Sequence, residues 1–214
     1  TEDWNSCIVT VPIKTKTATT SKSFTFQKNL PGTDGVTCGF TRSVIPVDTN
    51  SVGGKPTTGG DLADADISDQ AFTKIDVNAG TTNVTFAGHY ESDDPSSDTY
   101  KIVSDSITAT TDEGTSLTAA NSASENDGSS SGNYDVTFSI GGSTRLTLNI
   151  STDSSDAKLK VSSLTEHEDS SNTDFNSILV NVPIKVTTAA GTQTITRSFT
   201  VQKTKQGHTT PSFG

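Results

Sequence analysis

A chain of 214 residues has room for one large β domain, or for a medium domain plus part of a second. Only 29% of it is apolar, while 38 threonines and 29 serines supply much of the remainder. Thr suits half-solvated strands and Ser suits turns, so this composition argues against a thick-cored helical or α/β enzyme. A formal charge of −10 argues against a nucleic-acid footprint, and no apolar run approaches the roughly 18 residues of a membrane span.

Residues 1–28 read as a β-hairpin. Cys7, Val9, Val11 and Ile13 alternate with polar neighbours and lead into Lys14; Ser23-Phe24-Thr25-Phe26-Gln27-Lys28 is the return strand. The pattern comes back near the other end. Asp174-Phe175-Asn176-Ser177-Ile178-Leu179-Val180-Asn181-Val182-Pro183-Ile184-Lys185 matches 3–14 at an offset of 171, and Ser198-Phe199-Thr200-Val201-Gln202-Lys203 matches 23–28 at an offset of 175. The four extra residues fall in the connection, where a hairpin tolerates insertion. Each copy carries a proline in its first strand (Pro12, Pro183), which predicts an edge or a bulge at that point.

The repeat sets the expected organisation. Residues 1–28 are read as the terminal hairpin of a preceding similar module and 29–35 as a turn-rich linker. Residues 36–203 are read as one complete module with long acidic loops, and 204–214 as a linker to a following module. Within 36–203, strands are expected near Val36–Val47, Ala71–Val77, Asn83–Tyr90, Thr99–Thr110, Tyr134–Ile140, Ser143–Ser151, Ala157–Leu164, Ile178–Thr187 and Thr194–Lys203. Gly141-Gly142 marks a two-residue hairpin turn. The stretches 51–70, 91–98, 111–131 and 166–173 read as exposed loops, with one or two helical turns at Leu117–Ala123. The fold class expected is all-β, an antiparallel Ig-like β-sandwich.

Few residue patterns suggest chemistry. Gly128-Ser129-Ser130-Ser131-Gly132 satisfies the letters of a nucleophile elbow, but no helix pattern follows it, and a polar loop explains it. His89, His167 and His208 lack metal-ligand spacing and read as surface residues. Asp64, Asp66 and Asp69 offer hard oxygen ligands for Ca²⁺, as do the acidic runs at 91–94 and 125–127, yet none completes a calcium-loop motif. Solvated acidic loops are the plainer reading. Cys7 and Cys38 either form one disulfide or remain two small buried thiols. The sequons at Asn83 and Asn149 fall on expected strands and carry no signal for glycosylation. No catalytic or cofactor-binding residue is assigned.

The run 178–207, with its Thr-rich return strand and the following Lys205-Gln206-Gly207, resembles the ends of Ig-like modules in tailed-bacteriophage fibre and tail-tip proteins. Ser43-Val44-Ile45-Pro46-Val47-Asp48, before a Gly-rich loop, resembles the first strand of such a module. The resemblance covers 1–47 and 134–207 and departs at the acidic insertions 51–70 and 111–133. It implies a non-enzymatic structural or recognition module of a virion fibre, homotrimeric, assembling with copies of itself and other virion proteins. Its loops would contact a host-surface glycan or protein, without nucleic acid or membrane insertion. A cell-surface adhesin or filament subunit assembled by β-strand complementation is the alternative, with an extracellular location. A secreted carbohydrate-active enzyme is a third reading, weakened by one Trp and three Tyr as an aromatic platform.

Overall fold

The computed structural model describes residues 6–14, 19–27, 35–80, 82–86, 99–103, 106–121, 134–153, 156–166 and 175–205. The chain divides into two compact units, Thr1–Gly35 and Val36–Gly214.

The first unit is a two-stranded antiparallel sheet of β1 (Ser6–Lys14) and β2 (Thr19–Gln27), paired from Ser6 opposite Gln27 to Lys14 opposite Thr19.

In the second unit the strands are β3 (Val36–Phe40), β4 (Val44–Thr49), β5 (Phe72–Ala79), β6 (Thr82–Asn83), β7 (Thr85–Phe86), β8 (Thr99–Ile102), β9 (Thr108–Thr111) and β10 (Ser116–Asn121). They continue as β11 (Tyr134–Ile140), β12 (Ser143–Asp153), β13 (Asp156–Leu164), β14 (Ser177–Thr188) and β15 (Gly191–Lys205). The main path runs β3-β5-β13-β12-β11-β10-β9-β14-β15-β4. Among the described residues every pairing is antiparallel except β15 with β4 and β7 with β8. The class is therefore all-β and antiparallel-rich.

The path curls for a simple reason. Its two end strands, β3 and β4, are consecutive in the chain and separated only by Thr41-Arg42-Ser43. Three residues reach about 10 Å when extended, so the two ends of the sheet must approach each other. Arg197 of β15 reaches the backbone of β3, and the Phe40 and Phe199 rings meet edge to face with centroids 5.0 Å apart. Two separate facing sheets are not what results. β10 pairs first with β9 (Ser116, Leu117) and then with β11 (Thr118 to Asn121), joining both halves into one curled half-barrel.

Alternation packs the interior economically. Ile178, Val180, Val182, Ile184 and Val186 of β14 are fully buried, and Phe138, Leu146, Leu148, Ile150, Leu159 and Val161 face them from the other half. Tyr100 of β8 bridges the layers, its hydroxyl accepting the Ala157 amide at 2.9 Å. Gly141 and Gly142 have φ of 57° and 84°, the left-handed pair a tight hairpin between β11 and β12 requires.

Several boundaries depart from the expectations. Val36–Val47 is two strands at opposite ends of the path, and Thr99–Thr110 is likewise β8 and β9. The helical turn expected at Leu117–Ala123 is strand β10 through Asn121; residues 122–123 lie outside the described ones. The loop 51–70 is anchored: Leu62 and Ile67 are buried, and Leu62 exchanges backbone hydrogen bonds with Leu164 at 2.8 and 3.0 Å. Pro183 lies in a central strand, not an edge strand. Its carbonyl accepts the Val103 amide at 2.9 Å. A residue's nitrogen and carbonyl face the same side of a strand. The ring nitrogen therefore faces the gap where β9 stops (Asn181 opposite Thr108) and β8 begins (Ile184 opposite Ile102). The missing donor costs no ladder bond there.

Candidate functional site

The proposed calcium ligands are held by lysines. A short 3-10 turn, Asp64–Asp66, follows the anchored Leu62. Lys160 of β13 places its ammonium 3.0 Å from both Asp64 Oδ1 and Asp69 Oδ1, while Asp66 pairs with Lys55 at 3.2 Å. The three carboxylates thus split between two cations. The Ala63 amide, and then Lys55, hold the Asp66 carboxyl below its usual value; the hydrogen bonds that Lys160 donates to Asp64 and Asp69 raise Lys160. Among the described residues, no three His, Cys, Asp or Glu side chains lie close enough together to hold a metal ion.

A second constellation, absent from the sequence reading, gathers beneath the loop that follows β4. Asn50 organises it. Its Oδ1 accepts the amides of Val52 (3.0 Å) and Gly54 (2.9 Å), and its backbone exchanges bonds with Gly53 and Gly54. Gly53 adopts a φ of +92°, which a residue with a Cβ rarely takes. Into this turn comes Glu166, just beyond β13. Its Oε2 accepts the Gly60 amide at 2.6 Å, and its Oε1 lies 3.5 Å from Asn50 Nδ2. The carboxylate rests on Gly54, where a Cβ would collide with Oε1. Asp61 answers by accepting the Glu166 amide at 2.8 Å.

Lys203 of β15 enters from below. It is only 4% exposed; its Nζ donates to the Thr165 carbonyl at 2.8 Å and lies 3.9 Å from the centroid of the buried Phe175 ring. The same Nζ comes within 3.1 Å of the position a Cβ on Gly53 would occupy. The Asn50 carboxamide and the Glu166 carboxylate therefore meet at one half-buried turn, and the Lys203 amine lies against its Gly53. Two signals in the sequence pointed here: the glycine pairs 53–54 and 59–60, and the Gln-Lys that closes both copies of the repeat. What was missing was the pairing of β4 with β15, which unites residues more than 100 positions apart.

The remaining candidates are dispersed. Cys38 is a buried free thiol, which burial pushes up to about 11 against the opposing pull of Arg197. The side chain of Cys7 lies outside the described residues, as do His89, His167, His208, the 128–132 serine run and the acidic runs 91–94 and 125–127. Asn149 donates to Asp135 at 2.9 Å from within β12. The calcium and thiol candidates thus share no common site.

The repeat has a geometric counterpart. Ser6 opposite Gln27, Cys7 opposite Phe26, Val9 opposite Phe24 and Pro12 opposite Ser21 correspond, one for one, to Ser177 opposite Gln202, Ile178 opposite Val201, Val180 opposite Phe199 and Pro183 opposite Thr196. Register is preserved, and the four inserted residues lengthen the distal end of the second ribbon. One difference matters: Val11 is 40% exposed, whereas its counterpart Val182 is fully buried. Compared with protein-family models, curated proteins and solved structures, the chain has no match.

Proposed function

We propose that this chain is a non-enzymatic structural and recognition segment of a bacteriophage fibre or tail appendage, built from tandem Ig-like β units. The observation that carries the reading is the shared register of β1–β2 and β14–β15. A ribbon that closes the unit 36–205 recurs ahead of it, which is what a string of like modules contains. The Ig-like part rests on strand order. One end of the path reads β3-β5-β13-β12 and the other β4-β15-β14-β9, with β4 parallel to the last strand. This parallels the A-B-E-D and A′-G-F-C arrangement of Ig folds, with β10 and β11 added between C and D.

In this reading the molecule works by rigid presentation: stacked β units carry a tip outward, and the acidic loops meet a neighbouring chain or a host-surface glycan or protein. The uncovered Val11 favours one alternative, an adhesin or filament subunit whose open ribbon face is completed by another chain's strands. An antibody raised against 36–214 separates the two. Labelling of fibres or tail tips on phage particles supports the first reading. Labelling of a cell envelope instead replaces it with the second, and hydrolysis of a glycan by the purified chain overturns both.

A further inference from the structure

The outer face of β14 and β15 stands out in an acidic chain. The chain carries 25 Asp and Glu, yet neither of these two strands contains one. Near the middle of the face one cross-strand row runs Val44, Thr200, Leu179, Thr110, through β4, β15, β14 and β9. Val44 is 47% exposed and Leu179 39%, two of the four large apolar side chains left open among the described residues. The polar groups beside them already bond one another. Ser198 Oγ donates to Asn181 Oδ1 at 2.6 Å, and Asn181 Nδ2 donates to Thr108 Oγ1 at 3.2 Å, linking three strands. Polar groups paired in this way lose little when water is removed from above them.

The repeat shows that this face is retained more closely than the side packed on the core. Ten outward positions of β14 and β15 have a counterpart in β1 and β2, and seven of them hold the same residue. The exceptions are Ile8 for Leu179, Thr10 for Asn181 and Ser21 for Thr196, each an exchange of like for like. Of the eight core-side positions four differ: Cys7 for Ile178, Thr20 for Ile195, Lys22 for Arg197 and Phe26 for Val201. Solvent alone restrains outward residues less than packing restrains inward ones, so the retained face is one that touches something.

We propose that the outer face of β14–β15 packs against the same face of a second copy of this chain, about a two-fold axis through the Leu179–Thr200 pair. Three features point to a second copy. The face is three or four strands wide and about 40 Å long, so it offers about 600–700 Å² on each partner, the lower end of the range for specific interfaces. Two chains of charge −10 can approach here without their carboxylates facing each other. The ends of the face also differ in charge. Lys185 and Lys101 are neighbours at one end, and Asp48, opposite Thr204, lies at the other. An antiparallel pairing sets the lysine end of each copy on Asp48 of its partner, as an isologous contact can. The pairing requires the repeat but neither a fibre nor an envelope location.

The test is sedimentation equilibrium of the full 214-residue chain at physiological ionic strength. A reversible monomer–dimer equilibrium is expected, and Leu179→Asp should shift it to monomer. Leu179 is exposed, so this variant should fold, which circular dichroism checks. Asp48→Lys and Lys185→Asp should each weaken the dimer, and the two combined in one chain should restore it. Failure of the combined variant to recover overturns the two-fold pairing. A wild-type chain that stays monomeric up to its solubility limit overturns the proposal without any variant, whether or not the face then takes a neutral glycan. A dimer that survives Leu179→Asp but is lost in Val11→Asp also overturns it, because association then runs through the open first ribbon. A trimer overturns it as well, since a two-fold contact closes at two copies, and that result leaves the fibre reading standing.

Discussion

Arg197 Nε donates to the carbonyl of Cys38 at 2.6 Å, bridging 159 positions of sequence and the two halves of the curled sheet. Cys38 lies on β3, which ladders only with β5 on the main path, so its outward carbonyl depends on this guanidinium. A charge-assisted bond of this kind contributes about 1.5–3 kcal/mol. Arg197→Ala should lower unfolding stability by that amount in urea titrations, and Arg197→Lys should recover part of it. An unchanged midpoint for the alanine variant would mean that β3 is held by its packing alone.

Two glycines should respond oppositely to alanine. At Gly54 the new methyl meets the Glu166 carboxylate that the loop is folded around. Forcing it aside costs about 1–3 kcal/mol and breaks the Gly60 contact. At Gly39 no atom lies within 4 Å of the added Cβ and the backbone is ordinary strand. Gly39→Ala should therefore leave stability unchanged or raise it by up to about 1 kcal/mol, as the unfolded chain loses freedom. Thermal melts of the two variants side by side decide the matter; equal losses would remove the special role given to the Glu166 cradle.

What was legible in the sequence was periodicity, and what was hidden was partnership. The alternation in 178–186, the Gly141-Gly142 turn and the repeat all survive into the structure because each is a local pattern. The break at 41–43 was also present, as a change of phase. Val36 and Cys38 are buried at even positions, whereas Ile45, Val47 and Thr49 are buried at odd ones. Phe40 and Val44 blurred that change by continuing the first phase. β10 escaped because it serves two neighbours in six residues, with Ala119 only half-buried, so no clean alternation marked it. The Asn50–Glu166–Lys203 cluster could not be seen locally at all. Glu166 meets Asn50 only because the loop is anchored by Leu62 on Leu164, and Lys203 reaches Gly53 only when β4 pairs with β15.

Cys38 makes an alkaline prediction. Its thiol is raised from 9.0 to about 11 by burial, so between these values the unfolded chain has lost a proton that the folded chain keeps. Stability from this group is complete below pH 9 and falls as pH rises to 11, by about 2–3 kcal/mol over the window. Tyr100 and Tyr134, also pushed up by burial, add their own loss only from about pH 10. Cys38→Ala should flatten the earlier part of the curve. Mapping alkylation gives a second measurement: Cys38 should react in urea and not in the folded chain. A non-reduced peptide linking Cys7 to Cys38 would replace this picture with a disulfide.

The split of the acidic turn between two lysines predicts how it meets cations. Calcium would have to displace the Lys160 ammonium from Asp64 and Asp69, and Asp66 is held elsewhere by Lys55 and the Ala63 amide. Adding calcium should therefore shift the melting temperature no more than magnesium at equal ionic strength. Lys160→Met removes the competing cation. Because Asp69 is 93% exposed and Asp64 65%, the pairs are well screened, and the loss should stay below about 1 kcal/mol and shrink with added salt. Acid gives the complementary check. Asp66 titrates below its usual 3.8, so its contribution is complete above that value and fades only as pH falls through the lower folded one. A calcium-specific rise in the wild-type melting temperature would restore the aspartates as ligands and make the lysine clasp a resting state of the empty site.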